Sequence, residues 1–306
     1  TQWSSSAASD VYKRQYVKLL ITQLFLFASL ALAKTRLVSS CNIANNTSDI
    51  VVAGGSITEI LYFLNEEDRI LGVDVTSNFP KETSKLPSIG YVRSLSTEGI
   101  LSLNPKLILG ENDMGPPLVI DQIKEVGVDL RIISEEQTAM GIIEKISCIA
   151  SIIGIQDKAQ EEIKDKLMPK LRDLKTFQDS KIFKKKKVML ILSMQGTSPI
   201  VAGSGTSGDG FIKMTGAVNV FESFEGWKPV SEEAIIESDP DYFIIPSRDM
   251  HKGSNVKSLT SNPIFKNTKA GSKENFIFED SMAMLGFGPR TIMTALKVAK
   301  EMHQQD

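Results

Sequence analysis

The run Ile50-Val51-Val52-Ala53-Gly54-Gly55-Ser56-Ile57-Thr58-Glu59-Ile60-Leu61-Tyr62-Phe63-Leu64 carries the main signal for the fold. Its first four residues are apolar without alternation, the pattern of a strand covered on both faces. Two glycines end the strand, and apolar residues from Ile57 onward recur at helical spacing. Ser56 with Glu59 three residues later has the spacing of a capping box. Ile70-Leu71-Gly72-Val73-Asp74 predicts a second short strand, and strand, helix and strand in so short a span imply a parallel α/β layer. Leu107-Ile108-Leu109-Gly110 and Leu130-Arg131-Ile132-Ile133 continue the alternation.

Further along, the plan repeats. Val188-Met189-Leu190-Ile191-Leu192 and Tyr242-Phe243-Ile244-Ile245 read as strands of a second lobe. Between the halves, Ile142, Ile146, Ile149, Ile153, Ile163, Leu167 and Leu171 mark a buried helical stripe, with Gly154 and Pro169 as points of break or kink. The expected organisation is an N-terminal α/β lobe over residues 48–140, a linking helix region over 141–180 and a C-terminal α/β lobe over 186–306. Each lobe also contains an echo of the other. Ser96-Thr97-Glu98 and Ser231-Glu232-Glu233 each open a short helix, and Glu98 and Glu233 each stand seven residues before a proline, Pro105 or Pro240. Two readings fit: first-turn acids that complement the helix dipole, or a matched pair of carboxylates docking on a two-fold symmetric partner.

Composition narrows the function. The chain has 306 residues, 42% hydrophobic and 24% charged, and 35 basic against 37 acidic residues leave a net charge of -2. That balance lacks the basic face nucleic-acid binding needs. Lys184-Lys185-Lys186-Lys187 reads as a solvated loop. Two histidines and two cysteines cannot supply a His-rich zinc or manganese site. No nucleophile elbow is followed by an acid and a histidine in workable order, so an enzyme is not expected.

The first 33 residues are expected to lie outside the fold. Lys13, Arg14 and Lys18 precede an apolar stretch from Leu19 to Leu32 that closes with Ala31-Leu32-Ala33, the features of a secretory signal peptide with cleavage after Ala33. Asp10-Val11-Tyr12-Lys13-Arg14-Gln15 resembles the in-frame translation of a transposon end used in sequencing libraries. The expected location is the periplasm. Val38-Ser39-Ser40-Cys41 loosely resembles a lipobox, so Cys41 is either a lipid tether or, in an oxidising compartment, the partner of Cys148 in a disulfide.

The run from Val51 to Ile60, Gly72-Val73-Asp74 and the first Glu-to-Pro echo resemble the class III substrate-binding proteins of ABC importers. Within that class, Leu86-Pro87-Ser88-Ile89-Gly90-Tyr91-Val92-Arg93-Ser94-Leu95-Ser96 is similar to the haemin-binding members. Gly203-Ser204-Gly205-Thr206, Gly216-Ala217 and Leu285-Gly286-Phe287-Gly288-Pro289-Arg290 extend the match. The resemblance implies two Rossmann-like lobes joined by one long rigid helix, a ligand in the cleft between them, a monomer, and delivery of the cargo to a membrane permease and its ATPase. The implied cargo is haem b, as haemin. A ferric siderophore or vitamin B12, bound elsewhere in the same class, is the alternative.

By the same resemblance Tyr91 is the axial ligand to haem iron, and Glu98 and Glu233 meet arginines of the permease. Phenolate is a hard anionic donor suited to ferric iron. A free phenol ionises near pH 10, so the metal must displace its proton. Arg248 stands where haemin-binding relatives place an arginine beside the tyrosine; it reads equally as an ion pair with Asp249. Arg93, two residues beyond Tyr91, would share its side of an extended segment and serve a propionate or the tyrosine, or remain a solvated charge. Met194, Met114 and Met250 fall after strands, where they pack either the porphyrin or the protein. His251 is a candidate second ligand or an exposed loop residue. The glycine-rich turn around Ser204 either offers amides to a propionate or simply precedes a helix.

Overall fold

The computed structural model describes residues 41–179, 184–195, 198–247 and 262–304. The signal-peptide segment, Arg248, Met250 and His251 lie outside the described residues.

The first lobe is a parallel sheet in the order β2-β1-β5-β6, from β1 (Ile50–Ala53), β2 (Ile70–Val73), β5 (Leu107–Glu111) and β6 (Asp129–Ile133). A hairpin of β3 (Gly90–Tyr91) and β4 (Ser94–Leu95) is inserted after β2. Helix α1 (Gly55–Phe63) follows β1 directly, but not through the expected capping box. Gly54 precedes the helix at φ 145°, and a Cβ there would stand 2.4 Å from side-chain carbons of Glu111, so only glycine fits. Ser56 lies inside the helix, where its amide and hydroxyl both donate to Glu111, and Glu59 reaches the other lobe instead of the cap. Two further short helices, α2 (Thr97–Leu101) and α3 (Pro117–Val126), complete the lobe.

The link is helical but not one rod. Helix α4 (Ala139–Ile153) is capped by Thr138 and ends at Gly154, whose φ of 77° reverses the chain. The second leg runs through α5 (Gln156–Glu162), a π-turn at Ile163–Leu167 and α6 (Met168–Asp179). Pro169 has no amide to give and would crowd the preceding turn. The wider π-turn just before it absorbs that misfit, so the leg continues.

The second lobe is not a copy of the first. Its sheet runs β10-β8-β7-β11-β12, from β7 (Lys187–Gln195), β8 (Ser198–Ala202), β10 (Trp227–Pro229), β11 (Tyr242–Ser247) and β12 (Phe276–Asp280), with β9 (Val218–Asn219) also on β7. The β7, β11 and β12 pairings are parallel as in the first lobe, whereas β8 returns antiparallel on β7. Helices α7 (Ser207–Met214), α8 (Glu232–Ser238), α9 (Pro263–Lys266), α10 (Lys269–Ser272), α11 (Ser281–Leu285) and α12 (Pro289–His303) surround it.

Strand periodicity sorts the core. Val52, Leu107, Leu109, Val188, Leu190, Tyr242 and Ile244 face one continuous interior shared by both lobes, filled by side chains of α1, α4, α6, α7 and α12. The alternate residues face a separate outer core in each lobe, Val51, Ala53 and Ile108 in the first, Met189, Ile191 and Phe243 in the second. A shared interior ties the two sheets together far more tightly than a bare hinge. Cys41 and Cys148 form a disulfide that fastens the segment before β1 to α4. The sulfur a lipid tether at Cys41 requires is thereby already bonded.

Candidate ligand-binding site

Open α/β sheets bind ligands beyond the carboxyl ends of their strands. In the first lobe that edge is organised by Asp74, buried just after β2. Its carboxylate accepts from the Gly54 amide at 3.0 Å, the Thr76 amide at 2.9 Å and the hydroxyls of Thr76 and Ser77. The Gly55 amide goes to the Thr76 hydroxyl and the Ser56 amide to Glu111. The positive end of α1 is therefore filled by the protein's own side chains.

Beside this edge stands Tyr91, 43% exposed on β3. Val92 and Arg93 form the two-residue turn to β4, and buried Ile89, Val92 and Leu95 anchor the hairpin in the outer core. Arg93 is thus in a turn, not in the extended segment expected from its spacing, yet its guanidinium still reaches the phenol. Nη1 donates to Tyr91 Oη at 3.1 Å, and the guanidinium carbon lies 5.9 Å from the ring centroid. The opposite edge of the guanidinium meets Asp113, with Nε and Nη2 each 2.7 Å from Oδ2. The hydrogen bond to Asp113 holds the Arg93 guanidinium above its ordinary pKa.

Behind this surface lies a buried charge cluster. Lys145 of α4, almost fully enclosed, pairs with Glu135 and donates to Ser56 Oγ at 2.9 Å; Ser56 donates in turn to Glu111 at 2.5 Å. Burial pushes the Glu111 carboxyl up to about 7, and Glu135 adds to the rise while Lys145 and the Ser56 bond oppose it. Across the two lobes, Arg290 at the start of α12 meets Glu59 at 2.5 Å and Asp280 at 3.2 Å, and stacks 3.7 Å over the Phe79 ring. Desolvation raises the Glu59 carboxyl despite Arg290. Met282 of α11 packs so closely on Gly55 that a Cβ there would stand 2.6 Å from its methyl.

The other expected residues are distributed as follows. Met114 is buried in the outer core, and Met194 is half-buried against the outer core of the second lobe. The Ser204 hydroxyl donates to the Phe224 carbonyl at 2.9 Å. The amides of Gly203, Ser204 and Gly205 are bonded to Gly226, Phe224 and Asp209, so these three offer nothing to a propionate. Glu98 and Glu233 are both exposed, each two residues after a serine that caps its helix: Ser96 accepts from Gly99 at 3.0 Å, Ser231 from Ala234 at 3.3 Å. Among the described residues no group of three or more His, Cys, Asp or Glu side chains is placed to hold a metal ion, and no helix is long and apolar enough to cross a membrane.

Sequence reasoning missed Asp113, Glu111 and Lys145 and assigned no role to Arg290. Asp113 follows the carboxyl end of β5, and that position was the available signal; its contact with Arg93 spans 20 residues and has no sequence period.

Two α/β sheets with their carboxyl edges carrying polar and aromatic side chains, bound through one interior, define a two-lobed ligand-binding protein. The chain belongs to the periplasmic binding protein family, whose model matches residues 50–283. That family consists of substrate-binding proteins rather than enzymes. The fold is similar to the periplasmic haem-binding protein RhuT of Roseiflexus sp. RS-1, at 30% identity and TM-score 0.76, covering 84% of this chain and 98% of that one. It is also similar to the periplasmic haem-binding protein HutB of Vibrio cholerae, at 31% identity and TM-score 0.75, covering 84% and 100%. Among curated sequences, the ABC transporter substrate-binding lipoprotein YvrC of Bacillus subtilis is 26% identical over 62% of this chain, a match spanning 60% of that relative's length. A vitamin B12-binding protein of Pectobacterium carotovorum is 21% identical over 80% of this chain and 84% of its own.

Proposed function

We propose that this protein captures haem in the periplasm and delivers it, as a monomer, to an ABC permease and its ATPase. The observation that carries the reading is Tyr91: an exposed phenol at the strand edge whose oxygen already accepts a hydrogen bond from a cation. Ferric iron takes the phenolate as axial ligand, the phenol proton leaves to solvent, and Arg93 stabilises the anion left behind. The likeness to haem-binding structures of about 30% identity supports the same cargo. Arg248 is assigned to the pocket on the strength of the sequence resemblance, and Arg93 on its bond to the phenol. Glu98 and Glu233, matched in exposure and in helix position, are the carboxylates that face the permease.

Haemin added to the protein is expected to give a ferric tyrosinate spectrum, and Tyr91→Ala to abolish it with a loss of affinity of at least tenfold. An unchanged spectrum in the variant removes the ligand assignment. Vitamin B12 or a ferric siderophore is a second reading, favoured by the curated relatives that bind vitamin B12. Such chelates arrive with their metal already coordinated, so Tyr91→Ala would leave their binding nearly intact. Cyanocobalamin titrated against both forms separates the two cargoes.

A further inference from the structure

We propose that Asp113 is a positioning residue for the bound iron: acting through Arg93, it sets how strongly the Tyr91 phenolate donates to the metal. The inference rests on Tyr91 being the axial ligand and goes beyond it, because Asp113 reaches the phenol only through Arg93.

The geometry is a three-member chain. A guanidinium is planar, with its donors in a fixed fork. Once Nε and Nη2 are held against Asp113 Oδ2, the direction of Nη1 is no longer free, and it falls on Tyr91 Oη. Arg93 needs this restraint, since it sits in a turn with 62% of its side chain exposed. Asp113 is itself restrained. The Gly115 amide donates to the Val92 carbonyl and the Leu95 amide to the Gly115 carbonyl, both at 2.9 Å, so the loop after β5 and the tyrosine hairpin form one unit. Met114 pins that loop in the outer core. Asp113 Oδ1 is buried and has no hydrogen-bond partner among the described residues. An ordinary surface ion pair has no such supports and contributes little.

Charge gives the chain its effect. Alone, Arg93 would present a full positive charge to the phenolate and draw electron density from the iron–oxygen bond. A carboxylate on its far edge cancels much of that charge while leaving the hydrogen bond in place. Outer partners of this type tune metal ligands through hydrogen bonding and charge.

Asp113→Asn keeps the shape and an acceptor for Arg93 but removes the charge. In the haemin complex the variant is expected to retain Tyr91 ligation. Its phenolate-to-iron charge-transfer band should move to shorter wavelength, and its Fe(III)/Fe(II) midpoint potential should become more positive. In an Arg93→Gln background the same substitution should shift neither. The proposal is overturned if Asp113→Asn reproduces the wild-type band and potential, if the band moves to longer wavelength, or if the shift persists without Arg93. A wild-type complex lacking the tyrosinate band would instead overturn the ligand assignment and this proposal with it, an outcome distinct from a normal wild-type band and an unresponsive variant.

Discussion

Ser56 holds its hydroxyl between an ammonium and a carboxylate, accepting from Lys145 and donating to Glu111, in a space that water barely enters. Glu111 is the member of this cluster whose charge is least comfortable, and burial lifts its carboxyl from 4.5 to about 7. The consequence for stability has a definite sign. A carboxyl whose folded pKa lies above its unfolded value binds protons more tightly when folded, so its contribution is full below about pH 4.5 and is lost as pH rises to about 7. Glu111→Gln, neutral at every pH, is expected to flatten that part of the profile. Urea unfolding of both forms between pH 5 and 8 measures it, and parallel profiles would contradict the argument. Removing Lys145 acts in the opposite sense: Lys145→Met strands Glu135 and Glu111 without their cation and is expected to cost about 3 kcal/mol, the size typical of breaking a buried pair.

At the scale of elements, the disulfide stands out because its cysteines are 107 residues apart. Closing a loop of about that length restricts the unfolded chain by up to about 4.7 kcal/mol in the chain-entropy account, though about 2–4 kcal/mol is commonly measured. Cys148→Ser is expected to lower the unfolding free energy by that amount, and a reductant should lower the wild type to the same level without affecting the variant. Two titratable thiols in the oxidised, denatured protein would refute the pairing. Which elements could be read in advance follows from the range of the forces involved. Strands β1, β5, β7 and β11 each contain an unbroken apolar run, and the break at Gly154 needs only a residue that tolerates positive φ; both are local signals. The antiparallel return of β8 depends on which neighbour Ser198–Ala202 finds, and no period encodes that choice. The Ser56–Glu59 spacing was misleading for a similar reason: Glu111 and Arg290, distant in sequence, outcompeted the local cap. Tyr91 and Arg93 were legible together through one short motif, whereas Asp113 joins them only after β5 is laid down beside the hairpin.

For the whole molecule, the pseudo-repeat matters more than either lobe. Strands β5 and β11 occupy equivalent places, each between the first strand of its lobe and the outermost parallel strand. The helix before each begins with a capping serine and an exposed glutamate two residues on, so the lobes present the same charge from the same position. Hydrogen bonds from its own amide and from Ser231 hold the Glu233 carboxyl below its ordinary value. Neither glutamate bonds to the tyrosine hairpin or to the charge cluster behind it, so the proposed docking and cargo roles rest on separate groups. Charge reversal at both sites, Glu98→Lys with Glu233→Lys, is therefore expected to leave haemin affinity within about twofold of wild type while transport and stimulation of the permease ATPase fall at least tenfold in reconstituted vesicles. Each single reversal should give an intermediate defect, because a two-fold symmetric partner still finds one correct contact. Added salt should weaken the wild-type interaction and narrow its gap from the variants, since exposed charges are screened beyond about 8 Å at physiological ionic strength. Loss of haemin binding in the double variant would show that the glutamates serve the cleft, and undiminished transport would show that the repeated helix starts are only caps.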